Sequence, residues 1–328
     1  MRTKVLALSL CLAVLFVFSC SRPHPEAKLQ KINIAFPEWV GYGPLYLAQE
    51  KGFFKDEGIE LVFIDEQLDS ARRDAFNQGM LDVEAGTLDL LVSKRAFNTP
   101  VVSVLEIDRS YGADGIVASA KIKNLADLLG KKVAFSRDDA GETLISYLFH
   151  QEGLPMERLN IISCNPEKVA EAFLKGEADA AVTWEPWLSL ALARPESHLL
   201  VTTRENPGII IDTLNVREDL VKNNPKLVKG LMRAWFRAVK YYQEHPDEAS
   251  EIIVKYYNIT SQQYRKNAEG LQWLDYSGQN QPSIHQQWVD VFNTIAKIKL
   301  MNKRIPQKPD AESTINRQLL KELYEDSK

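Results

Sequence analysis

The chain has 328 residues, 45% of them hydrophobic and 26% charged, with a formal net charge of −4 at pH 7. That is enough apolar material for two lobes with cores of their own, and the mildly acidic balance excludes a nucleic-acid partner, which calls for a basic face. Three cysteines and five scattered histidines offer neither a disulfide framework nor metal-ligand spacing, so no metal or other cofactor is expected.

Arg2 and Lys4 precede an uncharged run from Val5 to Ser19, with Cys20 directly after it. A basic start, a short apolar stretch and a small residue before the cut describe a secretory signal over residues 1–19, too short for a membrane span. Its placement before Cys20 resembles a bacterial lipoprotein signal, which implies lipidation of Cys20 and a protein anchored at the bacterial cell envelope, facing the periplasm or the outer face of the cell membrane. Loss of Arg2 and Lys4 from the 40 basic residues leaves 38 against 44 acidic ones, a net charge of −6. Cys164 is then the single cysteine besides the lipid site. Residues 20–30 carry prolines and charges without periodicity, as a tether does.

From Ile32 the pattern becomes regular. Ile32–Phe36 alternates as a strand, Pro37–Pro44 is a Gly/Pro-rich turn, and Leu45, Leu47 and Ala48 recur at helical spacing toward Gly52. Strands at 59–64, 81–85 and 101–107 alternate with helices at 70–78 and 88–97. A further strand at 115–119 precedes a second series: a helix at 125–129 capped by Asn124, a strand at 133–136, a helix at 142–151, a strand at 159–163, a helix at 166–175, a strand at 180–183, a helix from Pro186 and a strand at 199–202. Strands alternating with helices of about ten residues predict parallel sheets, and two series predict two lobes. Ile209–Val216 is extended. From Pro225 onward the pattern is helical, with stretches over 227–243, 247–256, 284–298 and 313–325.

One stretch stands out. Asp179–Trp187 runs from a small, β-branched strand into a turn where Trp184, Glu185 and Trp187 gather at the strand's carboxyl end, the position at which open α/β sheets hold ligands. Trp184 and Glu185 are the expected contacts there, while Trp187, one turn into the helix, is assigned to the core.

Four segments, in order, resemble one family. They are Trp39-Val-Gly-Tyr-Gly-Pro-Leu-Tyr46 followed by Gly52-Phe53-Phe54, Ser110-Tyr-Gly-Ala-Asp-Gly-Ile-Val-Ala118, Leu128-Leu129-Gly130-Lys131-Lys132-Val133, and Gly176 to Trp187. Together they are similar to the solute-binding proteins of ABC importers for nitrate, taurine and aliphatic sulfonates, and to the thiamine-pyrimidine (NMT1/THI5-like) group. The resemblance implies a type II periplasmic binding protein: two α/β lobes joined by two hinge strands, with a helical C-terminal extension. Mapped onto this chain, lobe 1 takes residues 31–115 plus 214–328 and lobe 2 takes 116–213. It further implies a monomer that captures a small molecule, with an ABC permease and its ATPase as partners, and no enzyme activity.

The expected cleft residues lie where strands end: Trp39, Gly41, Tyr42, Gly86, Thr87, Asp114, Ser136, Arg137, Asp139, Trp184, Glu185 and Asp212. Aromatic rings suit stacking on a planar or methylene-bearing solute. Thr87 stands where a hydroxyl either faces the cleft or caps the next helix. Carboxylates at Asp114, Asp139 and Glu185 disfavour a bare anion and suit a nitrogen donor, whereas Arg137 would bind a carboxylate or sulfonate, so a zwitterion such as taurine also fits. Asp138 and Glu142 are expected to cap their helix and face water. Two rivals stand beside import: an accessory lipoprotein that signals ligand to a membrane partner, and a pyrimidine-precursor enzyme on the same fold. The latter relative depends on a cysteine-rich motif that this chain lacks.

Overall fold

The computed structural model describes residues 28–66 and 69–325. The expected signal segment 1–19, Cys20 and the first part of the tether lie outside the described residues.

Eleven strands in chain order are β1 (Gln30–Ala35), β2 (Ile59–Phe63), β3 (Val83–Thr87), β4 (Val101–Ser110), β5 (Asp114–Ser119), β6 (Lys132–Phe135), β7 (Asn160–Ser163), β8 (Ala180–Trp184), β9 (Ser197–Thr202), β10 (Ile211–Arg217) and β11 (Leu271–Trp273). They form two sheets, ordered β11-β4-β10-β3-β1-β2 and β7-β6-β8-β5-β9. The first strand, β1, begins at Gln30, the last residue of the expected tether, where it already pairs with β2.

Helices cover the sheets, and the central strands are buried on both faces: β8, Ala180–Trp184, is buried throughout, as is nearly all of β4. The expectation of parallel sheets needs correction. β1, β2 and β3 are parallel, as are β6, β7 and β8, but β10 runs antiparallel to both β3 and β4, and β5 antiparallel to both β8 and β9. The reversed strands follow the two places where the chain passes between sheets. It leaves the first sheet at Ser110, enters the second at Asp114, leaves that at Thr202 and returns at Ile211. A returning strand inserted beside the outgoing one pairs with it antiparallel.

The two passages are fastened to each other. The Ser110 and Thr203 hydroxyls lie 2.7 Å apart, Gly112 N donates to Thr203 Oγ1 at 2.8 Å, and Thr203 N donates to the Asp114 carbonyl at 2.9 Å. Each is buried or half-buried, where such bonds hold a fixed geometry.

Asn124 caps its segment with a reciprocal capping box to Asp127, although the helix is a 3-10 turn, Leu125–Leu128. In the C-terminal part the helix Pro225–Glu244 buries Leu231, Met232, Trp235 and Val239 as its spacing predicts. The later pattern is more divided than expected. A helix at Ser261–Ala268, begun by a Thr260/Gln263 capping box, and the three-residue strand β11 both escape the sequence reading. Three residues are too few to show a period of two.

Candidate functional site

The turn after β1 is held by aromatic donors from the C-terminal region. The carbonyls of Trp39, Val40 and Gly41 accept from Tyr257 Oη at 2.7 Å, Tyr264 Oη at 2.8 Å and Trp273 Nε1 at 2.9 Å. Three successive carbonyls are thereby satisfied without regular pairing, and the loop is fixed. Their anchors are residues that sequence reasoning did not single out.

That fixed loop aims two side chains at the carboxyl end of β4 and the amino end of β10. Trp39 Nε1 donates to Asp108 Oδ2 at 3.2 Å, and the Tyr42 hydroxyl donates to Asp212 Oδ1. Gly41 leaves room for the first bond, since a Cβ there would overlap both Asp108 Oδ2 and Trp39 Nε1. Asp108 and Asp212 are directly paired across the antiparallel β4 and β10. Asp114 begins β5, at the other end of the passage.

The second sheet supplies the facing wall. Trp184, the last residue of β8, donates from Nε1 to the Glu38 carbonyl at 3.4 Å and so touches the loop of the first sheet. Pro186, joined to Glu185 by a cis peptide bond, caps the short helix Trp187–Ala191. Asp139 caps the helix Ala140–Gln151 through Gly141 N at 3.0 Å. Glu142, expected to face water, is buried instead; it accepts from Arg304 Nε at 3.0 Å and from Asp138 N at 2.8 Å, with Arg137 4.0 Å away.

Between the walls lies a cavity of about 700 Å³, the size of a small-molecule site. Of the twelve expected cleft residues, Trp39, Tyr42, Thr87, Asp114, Ser136, Arg137, Asp139, Trp184 and Asp212 line it. Three do not. Gly41 lies behind Trp39; Gly86 sits within β3, its carbonyl accepting from Thr213 Oγ1 at 3.0 Å; Glu185 turns back to its own helix, accepting from Ser189 N at 3.1 Å and Ser189 Oγ at 2.8 Å. Glu185 therefore caps a helix rather than facing the cavity. Thr87 turns its hydroxyl to Asp89 Oδ1 at 2.6 Å. Trp187, assigned to the core from sequence, lines the cavity, and so do Glu38, Arg73 and Phe97.

Charge is unevenly balanced at this site. Other buried acids have partners: Glu84 meets Arg72 at 2.7 Å and Lys94 at 3.1 Å, Asp89 meets Lys299 at 3.0 Å, and Glu106 meets Arg109. Asp108, Asp114 and Asp212 are in no ion pair among the described residues, and Asp108 Oδ1, Asp114 Oδ2 and Asp212 Oδ2 are buried without a hydrogen bond. Burial pushes the Asp108 carboxyl well up, and neighbouring Asp212 pushes it further. Asp212 is raised well by burial and by Asp114, despite the Tyr42 bond. Asp114 is pushed up to about 7 by burial, against the Ser110 hydroxyl bond and with Glu185 adding to the rise. Such carboxyls hold protons or await a cation. No cluster of three or more metal-ligating side chains occurs among the described residues.

The two mixed α/β sheets have the fold of periplasmic binding proteins. The aliphatic sulphonate binding protein SsuA of Escherichia coli superposes with a TM-score of 0.74 at 17% identity, over 89% of this chain and 99% of that one. The NMT1/THI5-like family model matches residues 39–249, and the chain belongs to that family. Among curated relatives, a protein of Bacillus subtilis named as a putative aliphatic sulfonates-binding protein is 25% identical over 322 residues, 91% of this chain and 90% of the relative. A protein of Aspergillus parasiticus named 4-amino-5-hydroxymethyl-2-methylpyrimidine phosphate synthase is 25% identical over 228 residues, 65% of this chain and 66% of its own.

Proposed function

We propose that this chain is the extracytoplasmic solute-binding component of an ABC importer, anchored by lipid on Cys20 and working as a monomer. It captures a small polar organic solute between lobe 1 (31–115 plus 214–328) and lobe 2 (116–213), then presents it to a permease and its ATPase. Closure about the two passages near residues 111–113 and 203–210 buries the solute and signals that cargo is aboard. Among the described residues no helix is long and apolar enough to cross a membrane.

The observation that carries this reading is the cavity itself, walled by Trp39, Tyr42, Trp184 and Trp187 and floored by Asp114 and Asp212. Flat rings with few polar handles suit binding, and carboxyl oxygens left without a donor suit N–H groups. The solute therefore carries nitrogen: an aminosulfonate such as taurine, in line with the sulfonate-binding relative, or a pyrimidine, in line with the synthase relative. The chain releases its solute unchanged. Cys164 is half-buried and burial pushes its thiol up, away from the thiolate form a nucleophile needs.

A thermal-shift panel tests this. At a hundredfold excess over Kd a solute adds about 2.7 kcal/mol, or about 4 °C for a chain of this size. Stabilisation by taurine or a pyrimidine, with nitrate inert, supports the reading; a response to nitrate and simple alkanesulfonates alone refutes it. Recovery of a permease with its ATPase, rather than a histidine kinase, on the immobilised protein distinguishes import from sensing.

A further inference from the structure

We propose that Asp114 and Asp212, backed by Asp108 across from Asp212, form a subsite for a delocalised nitrogen cation, an amidinium or protonated amino-heterocycle, which displaces bound protons as it enters. The inference rests on the solute-capture reading and narrows it to the charge state of the cargo.

The argument begins with the sheet. Residues directly opposite on antiparallel strands have Cβ atoms about 5 Å apart on one face, and like charges there are destabilising. Asp108 and Asp212 stand in that relation across β4 and β10, fully buried at 0% and 1% exposure. Asp114, 2% exposed, adds a third carboxyl from the start of β5. A purely structural pair would be matched by a cation, as Glu84, Asp89 and Glu106 are.

Direction supplies a second, separate observation. Asp114 and Asp212 line the cavity, and each keeps one oxygen without a partner. The donors present, Trp39 Nε1 and the Tyr42 hydroxyl, engage one oxygen each of Asp108 and Asp212 and leave Asp108 Oδ1 and Asp212 Oδ2 free. The result is two carboxyls at the cavity, Asp114 and Asp212, with Asp108 paired beside Asp212 on the neighbouring strand. A planar cation with several N–H donors satisfies such a set, whereas an anion or an ether oxygen leaves it unsatisfied. The indole of Trp39 and the phenol of Tyr42 offer ring faces to the same cation.

The groups around the three carboxyls set the sign of the pH effect. On β4 lies Glu106, paired with Arg109; on β3 Glu84, paired with Arg72 and Lys94; on the helix Leu88–Ala96 Asp89, paired with Lys299. Tyr42, Tyr257 and Tyr264 face Asp108 as neutral phenols, and Glu185 lies toward Asp114. Arg73, Arg137 and Asp139 line the same cavity, but among the described residues no cation pairs with the three carboxyls, so the empty site holds protons on them. An entering cation replaces them, so its affinity rises with pH, by up to tenfold per pH unit for each proton released.

The test is calorimetric titration of the purified protein with benzamidine hydrochloride and with benzamide, a neutral molecule of the same shape, at pH 5.5 and pH 8. Benzamidine binding at least tenfold tighter than benzamide at pH 8, with that preference shrinking at pH 5.5 and disappearing in Asp212→Asn and Asp108→Asn, supports the inference. Equal binding of the two probes, no binding of benzamidine, or a preference independent of pH in the wild-type protein overturns it, and these wild-type readings do not depend on the variants folding. Parallel titrations with taurine and ethanesulfonate separate the two readings. Ethanesulfonate bound as well as taurine, with benzamidine not preferred, leaves a solute-binding protein without a cation subsite.

Discussion

Replacing Asp114 by asparagine should stabilise the empty protein at alkaline pH while weakening capture of cationic nitrogen. In the folded chain this carboxyl holds its proton up to about pH 7, against 3.8 in the unfolded chain. Between those values the native state binds more protons than the unfolded state, so stability falls as pH rises through the window and the loss is complete above pH 7. Three pH units at 1.36 kcal/mol each make the cost about 4 kcal/mol at pH 8. Asparagine keeps the shape and has no proton to lose. The Asp114→Asn variant should therefore melt about 6 °C above wild type at pH 8, taking about 2.1 cal/mol/K per residue for the unfolding entropy. Less than half of that gain should remain at pH 5. Differential scanning calorimetry at both pH values checks it. A variant less stable than wild type at pH 8, or a gain equal at pH 5 and pH 8, refutes the claim that a costly buried carboxylate is kept here for binding.

Gly41→Ala forces a methyl group between Trp39 and Asp108; breaking their bond should cost about 2 kcal/mol in chemical denaturation and lower solute affinity at least tenfold. Trp184→Phe keeps an aromatic wall but removes the Nε1 bond to the Glu38 carbonyl; a melting temperature within about 2 °C of wild type should accompany an affinity loss of about fivefold, and unchanged affinity would remove Trp184 from the site. Arg304→Gln leaves buried Glu142 with only the distant Arg137, 4.0 Å away, as an ion partner, so urea titration should show a loss of about 2 kcal/mol. The same loss should not be added again by a second change, Glu142→Gln, since the two act as one unit.

Much of the fold is legible because its signals are local. Alternating apolar strands, glycine helix stops and the Trp39–Tyr46 and Gly176–Trp187 segments placed most elements within a few residues. What escaped depends on pairing between distant parts of the chain. Parallel sheets were expected from alternation alone, yet β5 and β10 run the other way because the chain changes sheet at Ser110 and Ile211. Tyr257, Tyr264 and Trp273 hold the Trp39–Gly41 carbonyls from more than two hundred positions away, and no short-range pattern reports that. Asp108 is not among the expected cleft residues, although Glu106 and Asp108, two acids within the largely apolar run Val101–Ile107 and its end, are a usable sign of a buried polar site. Glu185 was drawn into the cleft by its position beside Trp184; Ser189, four residues on, shows why it caps a helix instead. Trp187 was given to the core because one helical turn of separation was taken to carry it out of reach, and the short helix keeps it at the cavity wall.

The central claim is that the cavity between the sheets captures a nitrogen-bearing solute. Calorimetric titration of the wild-type protein at pH 8 with taurine, a 4-aminopyrimidine, ethanesulfonate and nitrate tests it most directly. Taurine or the aminopyrimidine should bind saturably at one site per chain, with nitrate and ethanesulfonate silent. Binding of nitrate or ethanesulfonate with no heat from either nitrogen compound would contradict it.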